Sequence, residues 1–134
     1  MKMLLLFPFI LLTSEFSFAQ KGDYVFQLGM ISTTPVMIVS STKTYTCSNY
    51  GIYIRQEWSR DTLTVNILGI DSRQNCNNVP DKAKEIVEVY GIRDNEFVLR
   101  FLSDKRINFF HVEFDDDSFT ITPERSDFIR ATTN

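Results

Sequence analysis

The stretch Phe97-Val98-Leu99-Arg100-Phe101, the polar turn Ser103-Asp104-Lys105-Arg106, and then Ile107-Asn108-Phe109-Phe110-His111-Val112-Glu113-Phe114 carry the plainest structural signal in this chain. Phe97, Leu99 and Phe101 form an apolar stripe of period two, with Val98 and Arg100 turned the other way. The following run puts Asn108, Phe110, Val112 and Phe114 on one face and Ile107, Phe109, His111 and Glu113 on the other. Successive side chains of an extended strand point to opposite sides, whereas a helix repeats its apolar face about every 3.6 residues. This stretch has the period of half-buried β-strands.

The same period recurs in both directions. Upstream, Tyr24, Phe26 and Leu28 share a face; Ser32-Thr33-Thr34-Pro35 breaks the pattern, and Val36-Met37-Ile38-Val39 resumes it. Ser40 to Thr44 reads as a polar connection. Tyr50 to Trp58 sets Ile52 and Ile54 against Tyr53 and Arg55. A short turn at Ser59-Arg60-Asp61 then leads into Leu63, Val65 and Ile67, so the two runs predict a hairpin. Gly69 to Asp81 is the longest irregular stretch, crowded with turn-forming Asn, Asp, Gly and Pro. Asp81 to Val89 is too short and too rich in Ile and Val for a helix, and Glu85 to Tyr90 reads as strand. Downstream, Asp115 to Ser118 turns into Phe119-Thr120-Ile121, and Pro123 ends the pattern. Phe128 and Ile129 then mark a last short strand or a frayed end.

About eight short strands joined by tight turns predict an all-β fold, either a sandwich or a small barrel. Strands with one apolar and one mixed face favour a two-sheet, antiparallel, immunoglobulin-like β-sandwich. The alternative is an eight-stranded, lipocalin-like β-barrel, which would bring a ligand cavity. The Gly-x-Trp that opens lipocalins is absent, and the single tryptophan is Trp58.

The ends and the composition bear on compartment. Lys2 precedes an apolar run from Leu4 to Leu12, and Ser17-Phe18-Ala19 then precedes Gln20, an arrangement that predicts a cleavable signal peptide at 1–19. The apolar run is roughly half the length that a bilayer-spanning helix needs. Residues 20–134 then form one domain, exported to the periplasm or the medium, with no transmembrane segment after cleavage. The chain carries 14 Lys plus Arg against 17 Asp plus Glu, a net charge of −3. Without a basic cluster it is a poor ligand for nucleic acid and for anionic membrane surfaces. Cys47 and Cys76, an even pair in an exported chain, predict a disulfide, which would stabilise the fold by roughly 3–4 kcal/mol.

Cys47-Ser48-Asn49-Tyr50-Gly51-Ile52, then Asp61-Thr62-Leu63-Thr64-Val65, then Cys76, together with the Phe-Ala-Gln at the predicted cleavage site, resembles small secreted β-sandwich proteins of Bacteroidetes-type bacteria that carry one disulfide. The resemblance covers about 40 residues, implies the same fold, and brings no activity or functional residues with it.

No catalytic set stands out. His111 is the single histidine. Ser103 and Ser118, its nearest serines, lie in turns without the glycines of a nucleophile elbow. His111 therefore reads as a partly exposed surface residue. Glu113, Asp115, Asp116 and Asp117 form the densest acidic group and are the candidate calcium ligands, although they lack the glycine and distal glutamate of an EF-hand loop. An acidic hairpin tip is the plainer reading. Tyr45, Tyr50, Tyr53 and Trp58 gather around the first cysteine in sequence and are candidate contact residues, with core filling as the plainer role. No cofactor is expected. The function that fits is a non-enzymatic binding module for another exported protein or envelope component, an inhibitor being one variant. The alternative is a small-ligand or lipid carrier with a barrel cavity.

Overall fold

Alternation becomes strand almost throughout, except that Val89 and Tyr90, read with Glu85 as strand, lie beyond that strand's end, and strand also extends into stretches without alternation. The computed structural model describes residues 23–72 and 75–132, so the expected leader at 1–19 and the start at Gln20 lie outside the described residues. Nine strands follow in chain order: β1 (Tyr24–Ile31), β2 (Thr34–Tyr45), β3 (Gly51–Ser59), β4 (Thr62–Asp71), β5 (Asp81–Glu88), β6 (Glu96–Ser103), β7 (Arg106–Asp115), β8 (Ser118–Arg125) and β9 (Ile129–Ala131). There is no helix among the described residues.

They form two sheets packed face to face, a four-stranded one in the order β5-β2-β1-β9 and a five-stranded one in the order β3-β4-β6-β7-β8. Phe26 of the first sheet meets Phe101 and Phe110 of the second, with ring centroids 4.6 and 4.9 Å apart. Met37 and Val39 from one side, and Leu63, Val65, Leu99 and Val112 from the other, complete a fully buried layer. Each large side chain buried there contributes about 1.5–3 kcal/mol, which an open lumen would forfeit. The sheets do not close into a barrel.

The antiparallel expectation holds for most pairs and fails for two: β4 with β6, and β1 with β9, run parallel. The reason is parity. Each strand crosses the sandwich from end to end, so strands of the same parity point the same way. β5 crosses to the other sheet between β4 and β6, leaving two even strands as neighbours. β9 returns beside β1 in the same manner.

Three sequence readings are corrected. Ser40 to Thr44 is part of β2, not a connection. The ladder to β5 is irregular between Ser40 and Thr44, and the buried Ser41 hydroxyl repairs it by accepting the Ala83 amide (2.9 Å) and donating to the Lys43 carbonyl (2.8 Å). Pro35 lies inside β2 and not in the break before it, and Pro123 lies inside β8 and does not end it. β8 is an edge strand, where a missing N–H is tolerated. Leu68 is the residue left over where β3 and β4 slip register between Tyr53 and Ile54, which explains its 54% exposure.

Side chains, with one backbone bond from the Lys84 amide to the Tyr50 carbonyl (3.1 Å), join the two sheets along their margins. Beside β3 and β5, the Gln56 amide donates to the Glu88 carbonyl (2.6 Å), the Trp58 indole N–H donates to the Tyr90 carbonyl, and the Ile52 amide donates to Glu85 Oε1 (3.2 Å). At the opposite margin the fully buried Asn108 on β7 holds the approach to β9. Its Oδ1 accepts the amides of Asp127 (3.0 Å), Phe128 (3.0 Å) and Ile129 (3.1 Å).

Candidate functional site

The strand directions sort the connections to two ends of the sandwich. One end carries the β2–β3 and β4–β5 loops, and there Cys47 and Cys76 are disulfide-bonded with Cα atoms 5.2 Å apart. The bond ties loop to loop. Asn77 reinforces it by accepting the Ser48 and Val79 amides (3.0 and 3.2 Å) and donating to the Ser48 hydroxyl (2.6 Å). Tyr45 and Tyr50 pack beside it with centroids 5.7 Å apart, both half-buried against the core. The other two aromatic candidates are elsewhere. Tyr53 points outward from β3, and Trp58 sits at the far end of that strand. The four aromatics thus do not form one surface, because a nine-residue strand carries Trp58 away from the cysteine while alternation turns Tyr53 out.

The opposite, open end is built from the turns at Ser32-Thr33, Arg60-Asp61 and Asp116-Asp117 and from the 89–95 connection. A groove of about 610 Å³ lies there, with Met30, Val89, Ile92 and Phe114 on its apolar side and Asp116 and Asp117 contributing charge. Ile31 and Tyr90, next in the chain to groove residues, are 56% and 64% exposed. The Tyr90 hydroxyl donates to Glu88 Oε1 (2.9 Å), and that hydrogen bond holds the phenol above its ordinary range. A second, more polar hollow of about 300 Å³ adjoins it and is lined by Trp58, Arg60, Asp61, Arg93, Asp94 and Glu96. Gly91 borders both. Its φ of +81° suits glycine, and a Cβ there would stand 3.0 Å from Trp58 Nε1. The indole, edge-on to Phe97 at 5.3 Å, is therefore held as a fixed wall.

The acidic candidates separate. Asp116 forms the β7–β8 turn with a φ of 56°, and Asp115 accepts the Ser118 hydroxyl at its backbone carbonyl (3.3 Å). Glu113 stands on the outer face of β7 and turns to His111, not to the aspartates. His111 Nε2 lies 3.1 Å from Glu96 Oε1 and 3.8 Å from Glu113 Oε2. Among the described residues, Glu96, His111 and Glu113 are the histidine and carboxylate donors that come close enough to share an ion, all within 4.8 Å.

Sequence reasoning assigned His111 no partner and missed Glu96. The signal was the two-residue turn Asp104-Lys105: once Ser103 is paired with Arg106, Glu96 must face Glu113 and Val98 must face His111. Ser103, considered as a nucleophile, is buried on the inner side of β6, away from the outward-facing His111. In comparisons with known proteins, no family model matches this chain, and neither does any curated protein or solved structure.

Proposed function

We propose that this protein is a non-enzymatic binding module of an exported, oxidising compartment, which takes a segment of another exported protein at the open end of the sandwich. The observation that carries this is the groove between the Ser32-Thr33 turn and the Asp116-Asp117 turn. Its apolar side would seat a hydrophobic side chain, and its two aspartates would pair with a Lys or Arg beside that residue in the partner. Support for the compartment comes from the Cys47–Cys76 bond, since disulfides persist where the surroundings are oxidising. In immunoglobulin-like sandwiches, loops clustered at one end make the contact surface. The present layout is compatible with that use, although the disulfide here joins two loops at the other end.

The test is a selection of displayed random peptides against the disulfide-intact protein, with the Asp116→Lys/Asp117→Lys double variant as the counter-target. Enriched peptides should pair an apolar residue with a basic one, lose at least about tenfold in affinity on the variant, and shift backbone NMR signals of Met30, Ile92 and Phe114. Peptides that bind the variant equally well, or a selection that enriches nothing, would overturn the proposal.

A further inference from the structure

On the outer face of the five-stranded sheet, away from the core and independent of the groove, Glu96, His111 and Glu113 form a second arrangement. We propose that these three side chains are a surface binding site for a divalent d-block cation of the zinc class.

The geometry carries the proposal. Ligand atoms about 2.0–2.2 Å from a tetrahedral zinc ion stand roughly 3.4 Å from one another. The distances from His111 Nε2 to the two carboxylates, 3.1 and 3.8 Å, straddle that value. All three donor atoms lie within 4.8 Å of one another, so the glutamates need only small side-chain rotations to converge. The three positions sit on adjacent strands: His111 and Glu113 on β7 are paired with β6 on one side and β8 on the other, and Glu96 opens β6 directly opposite Glu113.

Register adds a second argument. Glu96 and Glu113 are direct cross-strand partners, and like charges placed opposite each other destabilise a sheet. A dication between them turns that repulsion into attraction. His111 lies diagonally across from Glu96, one side-chain repeat along the same face, which makes it a third donor of a different kind. The donor set selects the ion. Imidazole with carboxylates suits zinc, nickel or copper, whereas calcium asks for six to eight oxygens. Three protein donors leave at least one position for water, as in an open site. With side-chain exposures of 33, 64 and 57%, His111, Glu96 and Glu113 can take up an ion without opening the fold.

Calorimetric titration of the disulfide-intact protein with zinc chloride alone, in a non-chelating buffer, should show saturable one-to-one binding. Cobalt(II) in the same site should give visible absorption bands of a low-coordinate ion, and calcium should give no heat. His111→Gln should remove zinc binding, and Glu96→Gln and Glu113→Gln should each weaken it by about tenfold or more. All three positions face outward, and an unfolding midpoint without metal no lower than the parent's confirms that each variant folds; Glu96→Gln and Glu113→Gln should each raise it by relieving the Glu96–Glu113 repulsion. Absence of zinc binding, or binding that survives His111→Gln undiminished, would overturn the proposal.

Discussion

Asn108 is the residue whose replacement should cost most for its size. It is wholly buried on the inner face of β7, where the neighbouring inward positions are Phe110 and Val112. Its Oδ1 accepts three amides, and its Nδ2 donates to the Ile107 carbonyl (2.8 Å) and to Asp127 Oδ1 (2.9 Å). Asn108→Leu keeps the side chain's approximate volume, so it opens little cavity and isolates the polar terms. Asp127 is exposed, and its amide can turn to water. Phe128 and Ile129 are wholly buried, and their amides lose the partner shown here. A buried donor left without an acceptor costs about 1–3 kcal/mol, giving about 2–6 kcal/mol for the two. The added apolar burial returns about 1–2 kcal/mol. Taken at mid-range, the two terms leave a net loss of about 2–3 kcal/mol, a large share of the roughly 5–15 kcal/mol of a typical domain. Urea unfolding of the oxidised protein, followed by fluorescence of its single tryptophan, should report that loss as a lower midpoint at unchanged slope. Hydrogen exchange should locate it at the amides of Phe128 and Ile129. A loss below about 1 kcal/mol, or protection at those two amides as in the parent, would refute the reasoning.

The disulfide and one tyrosine give two further expectations. Closing a loop across a sequence separation of 29 residues should be worth roughly 3–4 kcal/mol, so Cys47→Ser/Cys76→Ser should lower the urea midpoint by that equivalent. Equal midpoints for oxidised and variant protein would show that the segment around Asn77 is held by its hydrogen bonds to Ser48 and Val79 alone. Tyr24, half-buried beside Tyr45 and Asp23, is held above its ordinary pKa of 10.0, first by desolvation and then by those neighbours. The fold therefore prefers the neutral phenol. Its contribution is complete below pH 10.0 and is lost as pH rises beyond that through the folded value. The parent should thus lose stability more steeply than Tyr24→Phe as the pH rises above 10.0, and parallel curves would contradict the assignment.

The open end and the outer-face triad differ in how legible they were. Asp115, Asp116 and Asp117 drew notice as a run of charge, yet β7 ends among them and points their neighbour Glu113 elsewhere. Glu96 drew none, because its importance comes from a residue 17 positions away that meets it only after a two-residue turn sets the register. The groove at the open end is assembled from three separate stretches of chain, and no single one of them has a pattern that announces a concavity. Asn108 was assigned to the correct face, but its role depends on three amides about twenty residues later in the chain.

What the sequence determined by itself was local. Period-two alternation decided strand over helix. It put Phe97, Leu99 and Phe101 on one face, and Asn108, Phe110, Val112 and Phe114 on one face of the next strand; all are buried except Phe114, which is partly exposed near the strand's end. Two cysteines defined the one possible intrachain bridge, and that bond forms. Only the tertiary structure decided that the layers form a sandwich in place of a barrel, that β4 and β6 lie parallel, and that a polar Ser40–Thr44 segment completes a strand. Alternation records which side of a strand meets water, but it says nothing about which strand lies alongside. Pairing is settled by how the apolar faces of distant segments pack and by where their unpaired amides find acceptors.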